Sequence, residues 1–216
     1  MIETGIYFGE IHSFHDLNLV LSSVEISPAK PKTNYIDIPG GDGALDLTEA
    51  HGEIKYSNRE MTMLFSVFPQ DDLTFEERKT VISNALNGKK FKITLDKDAE
   101  YYYEGRVTVD GFRQDKNLKQ ITVTATVYPY KWKHNKTVEV VNLSRASFPV
   151  VLRNGRKTVV PTIEVSGILW LRFGGKLYEL SVGEYKIYDV CLTEGDNVLE
   201  MYGTGTATFT YQEGDL

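Results

Sequence analysis

The sequence has few of the residues on which common protein chemistries depend. Among 216 residues there are one cysteine, Cys191, and four histidines, His12, His15, His51 and His134. A single cysteine excludes an internal disulfide, and the histidines have no spacing typical of a zinc site. No apolar run approaches the roughly 18 to 20 residues that cross a bilayer. We therefore expect no membrane span and, because the first residues lack a basic stretch followed by an apolar one, no export signal.

Positive charge is also scarce. The 24 basic residues are outnumbered by 30 acidic ones, which gives a formal net charge of −6. We therefore expect no nucleic-acid recognition based on phosphate neutralisation. The charge is uneven, with seven basic and one acidic side chain in 131–157 and seven acidic and one basic in 184–216. Such faces could pair between identical subunits, although two solvated surfaces would give the same pattern.

The carboxylates present no catalytic arrangement that the sequence can identify. Acidic pairs occur at 71–72, 76–77 and 96/98, and a glycosidase needs two carboxyls facing each other about 5 to 10 Å apart. The first two pairs flank a predicted helix start, where the helix dipole favours negative charge. Residues 96–100 are predicted as a turn, because they lack the glycine and distal glutamate of a calcium loop. We predict a non-enzymatic protein without metal or cofactor.

The apolar pattern predicts a mainly β protein with two domains, 1–132 and 133–216. In the first, residues 119–127 alternate apolar side chains with threonines, the period of a strand buried on one face. One helix is predicted over about 74–87, where Thr74 and Glu77 form a capping box and Gly88 follows the last turn. The apolar side chains expected to pack this helix on a sheet are Phe75, Val81, Ile82, Ala85 and Leu86.

The second domain is predicted to be a β-sandwich. A lysine-rich segment after Pro129 indicates a linker and places the domain boundary near residue 133. About seven short strand patterns follow, with frequent glycines between them. Gly174 and Gly175 predict a two-residue hairpin turn, because a type I′ turn needs positive φ at both positions. Trp170 has apolar neighbours on both sides and is predicted to be buried.

The most informative segment is a glycine-rich loop at residues 35–48. A proline and three glycines at 39–43 allow a sharp bend, yet the loop also carries more apolar side chains than a free loop should expose. We predict that the loop contacts another subunit and that Arg59 pairs with one of its aspartates. The alternative is that the loop folds back on its own domain. The predicted contact residues are Ile36, Ile38, Pro39, Gly41, Asp42, Gly43, Leu45, Asp46, Leu47 and Arg59.

The order of several segments carries a resemblance to a known family. The loop, with its Pro-Gly-Gly-Asp-Gly-Ala-Leu-Asp core, precedes Arg59-Glu60, the capped helix, Tyr101-Tyr-Tyr-Glu-Gly-Arg106 and Tyr128-Pro-Tyr-Lys-Trp132. In this order the segments resemble the distal tail proteins of long-tailed, non-contractile bacteriophages and their prophages. The resemblance spans nearly the whole chain.

This resemblance implies both a fold and a role. The fold is an N-terminal β-sandwich or barrel-like domain with one packed helix and a hairpin reaching the neighbouring subunit, followed by a galectin-like sandwich. The role is structural: a hexameric ring, or two such rings stacked, at the baseplate hub of the virion tail tip, assembled in the host cytoplasm. The implied partners are the tail-tube protein, the tape-measure protein and a tail-associated lysin, fibre or receptor-binding protein.

A competing interpretation makes the C-terminal half a carbohydrate-binding module that contributes to host adsorption. The half is rich in aromatic residues, which could stack on sugars. The sugar-binding members of the family usually carry an inserted module, however, for which these roughly 80 residues leave no room.

Overall fold

The computed structural model describes residues 5–50, 52–67, 74–115 and 119–216. Over these residues the protein is mainly β with one α-helix, as the sequence predicts. The chain divides into two compact units, Met1–Lys131 and Trp132–Leu216, and each has its own hydrophobic core. In the described part of the chain, no helix is long and apolar enough to cross a membrane.

The first unit combines one extended sheet with one helix. Its strands are β1 (Ile6–Phe8), β2 (Ile11–His12), β3 (Leu19–Ile26), β4 (Tyr35–Asp37), β5 (Ala44–Asp46), β6 (Arg59–Val67), β7 (Lys90–Leu95), β8 (Tyr101–Gln114) and β9 (Lys119–Val127). Helix α1 spans Phe75–Leu86, and a short 3-10 helix spans Asp96–Asp98. Seven strands follow one another in the antiparallel order β2-β1-β7-β8-β9-β6-β3, and β4 and β5 form a separate two-stranded ribbon.

The start of α1 is the predicted capping box. The Thr74 hydroxyl oxygen accepts a hydrogen bond from the Glu77 N–H, and the Glu77 carboxylate accepts one from the Thr74 N–H at 2.9 Å. Hydrogen bonds from the Thr74 backbone N–H and then its hydroxyl lower the pKa of Glu77 below its ordinary value. Two amides of the first turn, which have no partner within the helix, are satisfied in this way.

The buried face of α1 differs from the prediction. Val81 is 46% exposed, whereas Arg78 is buried and its Nη1 donates to the Leu17 carbonyl oxygen at 3.3 Å. Residues three or four positions apart share one face of a helix, so Arg78 lies in line with the buried Ile82. Val81 lies at the edge of this face, where its apolar side chain is left exposed.

The second unit is a β-sandwich, as predicted. Its strands are β10 (Lys131–Lys133, at the boundary), β11 (Thr137–Asn142), β12 (Phe148–Asn154), β13 (Thr162–Val165), β14 (Ile168–Phe173), β15 (Lys176–Leu180), β16 (Gly183–Tyr185), β17 (Gly195–Thr204), β18 (Thr206–Tyr211) and β19 (Gly214–Asp215). Two antiparallel sheets, in the orders β11-β18-β13-β16 and β12-β17-β14-β15, enclose the second core. Gly174 and Gly175 join β14 to β15 with φ of 54° and 78°, the positive values that the predicted turn requires.

Trp170 is half-buried, whereas the sequence predicts a buried ring. Its neighbours Leu169 and Leu171 point into the core, so the alternation of β14 turns Trp170 to the outer face of the sheet. There its ring stacks on that of Tyr202, with centroids 5.1 Å apart and an interplanar angle of 8°. The period of the strand thus outweighs the apolar character of the neighbouring sequence.

The two oppositely charged stretches meet within the second unit. Arg153 and Asp196 are register partners on β12 and β17, and Arg153 Nε lies 2.9 Å from Asp196 Oδ1. Arg156 pairs with Glu194, and Lys133 Nζ lies 2.7 Å from Glu213 Oε1. These six side chains neutralise one another locally, because their strands are neighbours in space.

Close packing of β8 on β9 supplies a stability test. A Cβ at Gly105 would lie 2.3 Å from the Thr126 carbonyl oxygen and 2.7 Å from the Val127 Cα, so we expect Gly105→Ala to lower the free energy of unfolding of this unit by about 1–3 kcal/mol. At Gly111, on the same strand, a Cβ meets no described atom within 4 Å. Gly111→Ala should change stability by less than about 0.5 kcal/mol. Urea unfolding followed by circular dichroism measures both, and equal effects would contradict the packing argument.

Candidate subunit-contact site

A long excursion separates two strands that are neighbours in the sheet. Ile26 of β3 pairs with Met61 of β6, and a hairpin loop between such strands needs only about 2–5 residues. The chain instead takes residues 27–58 to connect them. Within this excursion, residues 31–48 form an arm that includes the β4–β5 ribbon. Loops of this length in compact domains usually carry a function.

The arm stands in solvent. Every residue from 31 to 46 is exposed, and four large apolar side chains expose about half of their surface: Tyr35 (59%), Ile36 (48%), Ile38 (51%) and Leu45 (49%). Ile36 and Leu45 are register partners across the ribbon. The alternative in which this segment folds back on its own domain is thus not what the structure shows. Leu47, at the base, is half-buried.

Backbone hydrogen bonds hold the base of the arm in place. The Lys32 N–H donates to the Lys55 carbonyl oxygen at 2.7 Å, and the Ser57 N–H donates to the Lys30 carbonyl oxygen at 2.9 Å. These bonds join the two ends of the excursion outside the ribbon itself. The arm therefore leaves the body of the unit at a defined point while its sides stay open.

Two aspartates of the arm have different surroundings. Asp46 accepts a hydrogen bond from the Thr48 N–H at 2.9 Å, and bonds from the Thr48 hydroxyl first and the Thr48 N–H second lower the pKa of Asp46. Asp42, at the tip, makes no hydrogen bond or ion pair with any residue that the structure describes. Asp46 thus braces the base of the arm, whereas Asp42 is exposed at its tip.

Glycines are needed at only some positions of the tip. Gly40 and Gly43 have φ of 79° and 73°, a region that side chains with a Cβ rarely adopt. Gly41 has no positive φ, and a Cβ there would make an ordinary contact of 3.4 Å with the Ile38 side chain. The Gly41 N–H donates to the Ile38 carbonyl oxygen at 3.0 Å and closes a turn with Pro39 and Gly40 at its centre.

Arg59 lies apart from the arm of its own chain. Its Nε donates to the Ser27 carbonyl oxygen at 2.6 Å and its Nη1 to the Pro129 carbonyl oxygen at 3.4 Å. The guanidinium also lies 5.6 Å from the centre of the Tyr103 ring. Within one chain Arg59 therefore joins strand ends, and its pairing with an aspartate of a neighbouring copy stays a prediction.

Among the other polar groups considered in the sequence, His12, Asp96 and Asp98 make contacts within the first unit. His12 is buried; its Nδ1 accepts from the His15 N–H at 3.1 Å, and its Nε2 lies 3.3 Å from Asp96 Oδ2. Asp98 pairs with Lys131 at 2.8 Å. Sequence reasoning missed the His12–Asp96 pair, whose members are 84 positions apart.

Metal ligation has no support in these groups. Within residues 5–50, 52–67, 74–115 and 119–216, no three or more His, Cys, Asp or Glu side chains are grouped to hold a metal ion. Glu76 and Glu77 occupy the first turn of α1, as predicted. His51, Asp71 and Asp72 lie outside the described residues.

The brace at the base of the arm can be tested by titration. We expect Thr48→Val to raise the pKa of Asp46 toward its ordinary value, because the substitution removes the hydroxyl that contributes most to lowering it. Since folding lowers the pKa of this carboxyl, the ionised carboxylate stabilises the folded arm at pH values above the unfolded pKa. That stabilisation is lost as the pH falls through the folded pKa. Carbon-detected NMR titration of the Asp46 carboxyl measures the shift, with Thr33→Val as the matched control. An unchanged Asp46 titration in Thr48→Val would contradict the assignment.

Comparison with solved structures relates the fold of this chain to that of a phage protein. No protein-family model matches the sequence, and no curated protein is detectably similar to it. Among solved structures, the chain is similar to the SPP1 Dit (gp 19.1) protein, described as a paradigm of the hub adsorption apparatus in phages that infect Gram-positive bacteria. The TM-score is 0.70 at 17% sequence identity, over 97% of this chain and 98% of that chain. The chain therefore has the fold of a phage tail hub protein, as the resemblance of its segments implies.

Proposed function

We propose that the protein is a structural subunit of a phage tail tip, where six copies form a hub ring joining the tail tube to the tail-associated and receptor-binding proteins. The observation that carries the proposal is the exposed arm on a hub-protein fold. An arm that reaches a different patch on the next copy makes a heterologous contact, and such contacts form a ring when the rotation from copy to copy closes on itself.

The exposed side chains of the arm supply the driving force. Tyr35, Ile36, Ile38 and Leu45 each have about half their surface still to bury. Burying such a half is worth roughly 1 kcal/mol per side chain, so one arm contributes several kcal/mol. In a closed ring every copy gives one arm and receives one, so each copy is held by two contacts.

The mechanism is geometric and has no chemical step. Because the arm belongs to the first unit, that unit builds the ring, and the second unit is left to dock adsorption proteins. The tail-tube protein, the tape-measure protein and a tail-associated lysin or fibre are the partners. Assembly takes place in the host cytoplasm, and two rings could stack.

The ring is tested by absolute mass. We expect light scattering after size exclusion to give six or twelve chains for the wild type, with ring-shaped particles in negative-stain images. Ile36→Ser combined with Leu45→Ser should reduce the mass to that of a monomer, because the cross-strand apolar pair of the arm is lost. Val138→Ser with Val140→Ser, which removes two similarly exposed side chains from β11, is the control and should leave the mass unchanged.

Two outcomes would contradict the proposal. One is a wild type that stays monomeric at all concentrations. The other is an assembly of the arm variant equal to that of the wild type, with circular dichroism showing that both are folded.

A second candidate function is carbohydrate binding by the second unit, favoured by the outward position of Trp170 beside Tyr202. Exposed aromatic rings can stack on the apolar faces of sugars. We expect host cell-wall polysaccharide to quench the fluorescence of the wild type but not that of Trp170→Phe, in which Trp132 is the remaining tryptophan. Absence of quenching in the wild type would contradict this candidate and leave the ring proposal untouched.

A further inference from the structure

A depression on the first unit brings together segments that the sequence keeps far apart. Its volume is about 370 Å³. Residues 104–106 come from the Tyr-Tyr-Tyr-Glu-Gly-Arg segment, Tyr128 from the Tyr-Pro-Tyr-Lys segment, and Asn58 directly precedes Arg59. Two of the segments that carry the family resemblance therefore meet at one place, next to the start of a third. The lining residues are Asn58, Lys90, Glu104, Gly105, Arg106, Thr108, Thr126 and Tyr128.

Strand pairing builds this depression. Lys90 on β7 is the register partner of Arg106 on β8, and Gly105 on β8 is the register partner of Val127 on β9. The Tyr128 N–H donates to the Glu104 carbonyl oxygen at 2.9 Å, which brings the end of β9 beside β8. The depression is thus part of the rigid sheet.

The depression carries an excess of positive charge and one open aromatic ring. Lys90 and Arg106 face one acid, Glu104, with which Lys90 is paired. The Arg106 Nη1 donates to the Gly88 carbonyl oxygen, which fixes the side chain and leaves its other nitrogens as donors. Tyr128 is 50% exposed, and Lys90 Nζ lies 5.5 Å from its ring centre.

The tip of the arm has the complementary chemistry. Asp42 is exposed and has no partner among the described residues. Pro39 and Ile38 lie three and four positions before it on the same tight turn, so one tip presents a carboxylate and apolar carbon together. A guanidinium can bind a carboxylate through two parallel hydrogen bonds, and a proline ring packs well on an exposed tyrosine.

We propose that this depression receives the arm tip of the next copy of the chain, with Asp42 bound by Arg106 and Lys90 and with Pro39 packed on Tyr128. The inference rests on the proposed ring and deepens it, since it names the receiving surface. It also gives a common purpose to three segments of the sequence: the arm tip donates the contact, and the segments at 101–106 and 128–132 contribute to its acceptor.

A mixing experiment tests this contact. Asp42→Arg places a cation against the cations of the depression, and Arg106→Asp places an acid against Asp42, so we expect each variant alone to need at least about tenfold more protein to assemble. In an equimolar mixture, copies of the two variants can alternate around the ring. The substituted tip of each Asp42→Arg copy then meets the substituted depression of an Arg106→Asp copy, and the native tip of the latter meets the native depression of the former. A ring with an even number of copies can close in this way, so the mixture should regain the wild-type mass.

Arg113→Asp is the control for charge reversal on β8. Arg113 is exposed and pairs with Asp115 at 3.0 Å, away from the depression, so this variant should assemble like the wild type. Circular dichroism checks the folding of every chain. Tyr128→Ser, which leaves all charges in place, should weaken assembly as a second, independent variant.

The outcomes separate the two proposals. Loss of assembly in each charge variant and recovery in the mixture support the contact. If the wild type forms rings and both variants assemble equally well, or if the mixture of two folded variants stays monomeric, the contact is overturned and the ring stands. A monomeric wild type overturns both the ring and the contact.

Discussion

The antiparallel pairing of β8 with β9 is the contact on which the first unit depends. It aligns the core residues of both strands, Val107 with Ala125 and Val109 with Val123, at the centre of the sheet. Gly105 allows the two backbones to approach more closely than any side chain would permit. The same pairing places Glu104 and Arg106 beside Tyr128, so one pair of strands builds both the core and the proposed acceptor.

The arm, unlike this compact sheet, is exposed to solvent. β3 and β6 pair directly, so most of residues 27–58 are not needed to connect them. An excursion of that length has a cost in chain entropy, and its exposed apolar side chains gain nothing in a monomer. In the proposed ring a second copy covers the arm, which would give both features a physical reason. Its base is fixed by backbone hydrogen bonds and by Asp46 with Thr48, so little further ordering is required when a partner binds.

In the second unit, the alternation of side chains along each strand decides which of them face the core and which face solvent. Each strand sends every second side chain into the shared core, and the remaining side chains face solvent whatever their chemistry. Trp170 and Tyr202 therefore stack on the outside, while Arg153 and Asp196 meet on neighbouring strands. Charges that appear as two opposed blocks along the chain become local pairs in space. The second unit thus shows less net charge asymmetry than its sequence indicates.

The sequence by itself determined the features that depend on neighbours along the chain. The capping box of Thr74 and Glu77, the turn at Gly174 and Gly175, the alternation of 119–127 and the unusual loop at 35–48 all involve residues within a few positions of one another. The tertiary structure alone decided the features that join distant segments, such as the buried Arg78 on Leu17 and His12 on Asp96. It also decided which face Trp170 takes, because the register of β14 against its neighbours sets that choice. Short stretches of sequence set the local backbone preferences, whereas residues dozens of positions apart become neighbours only when the strands pair.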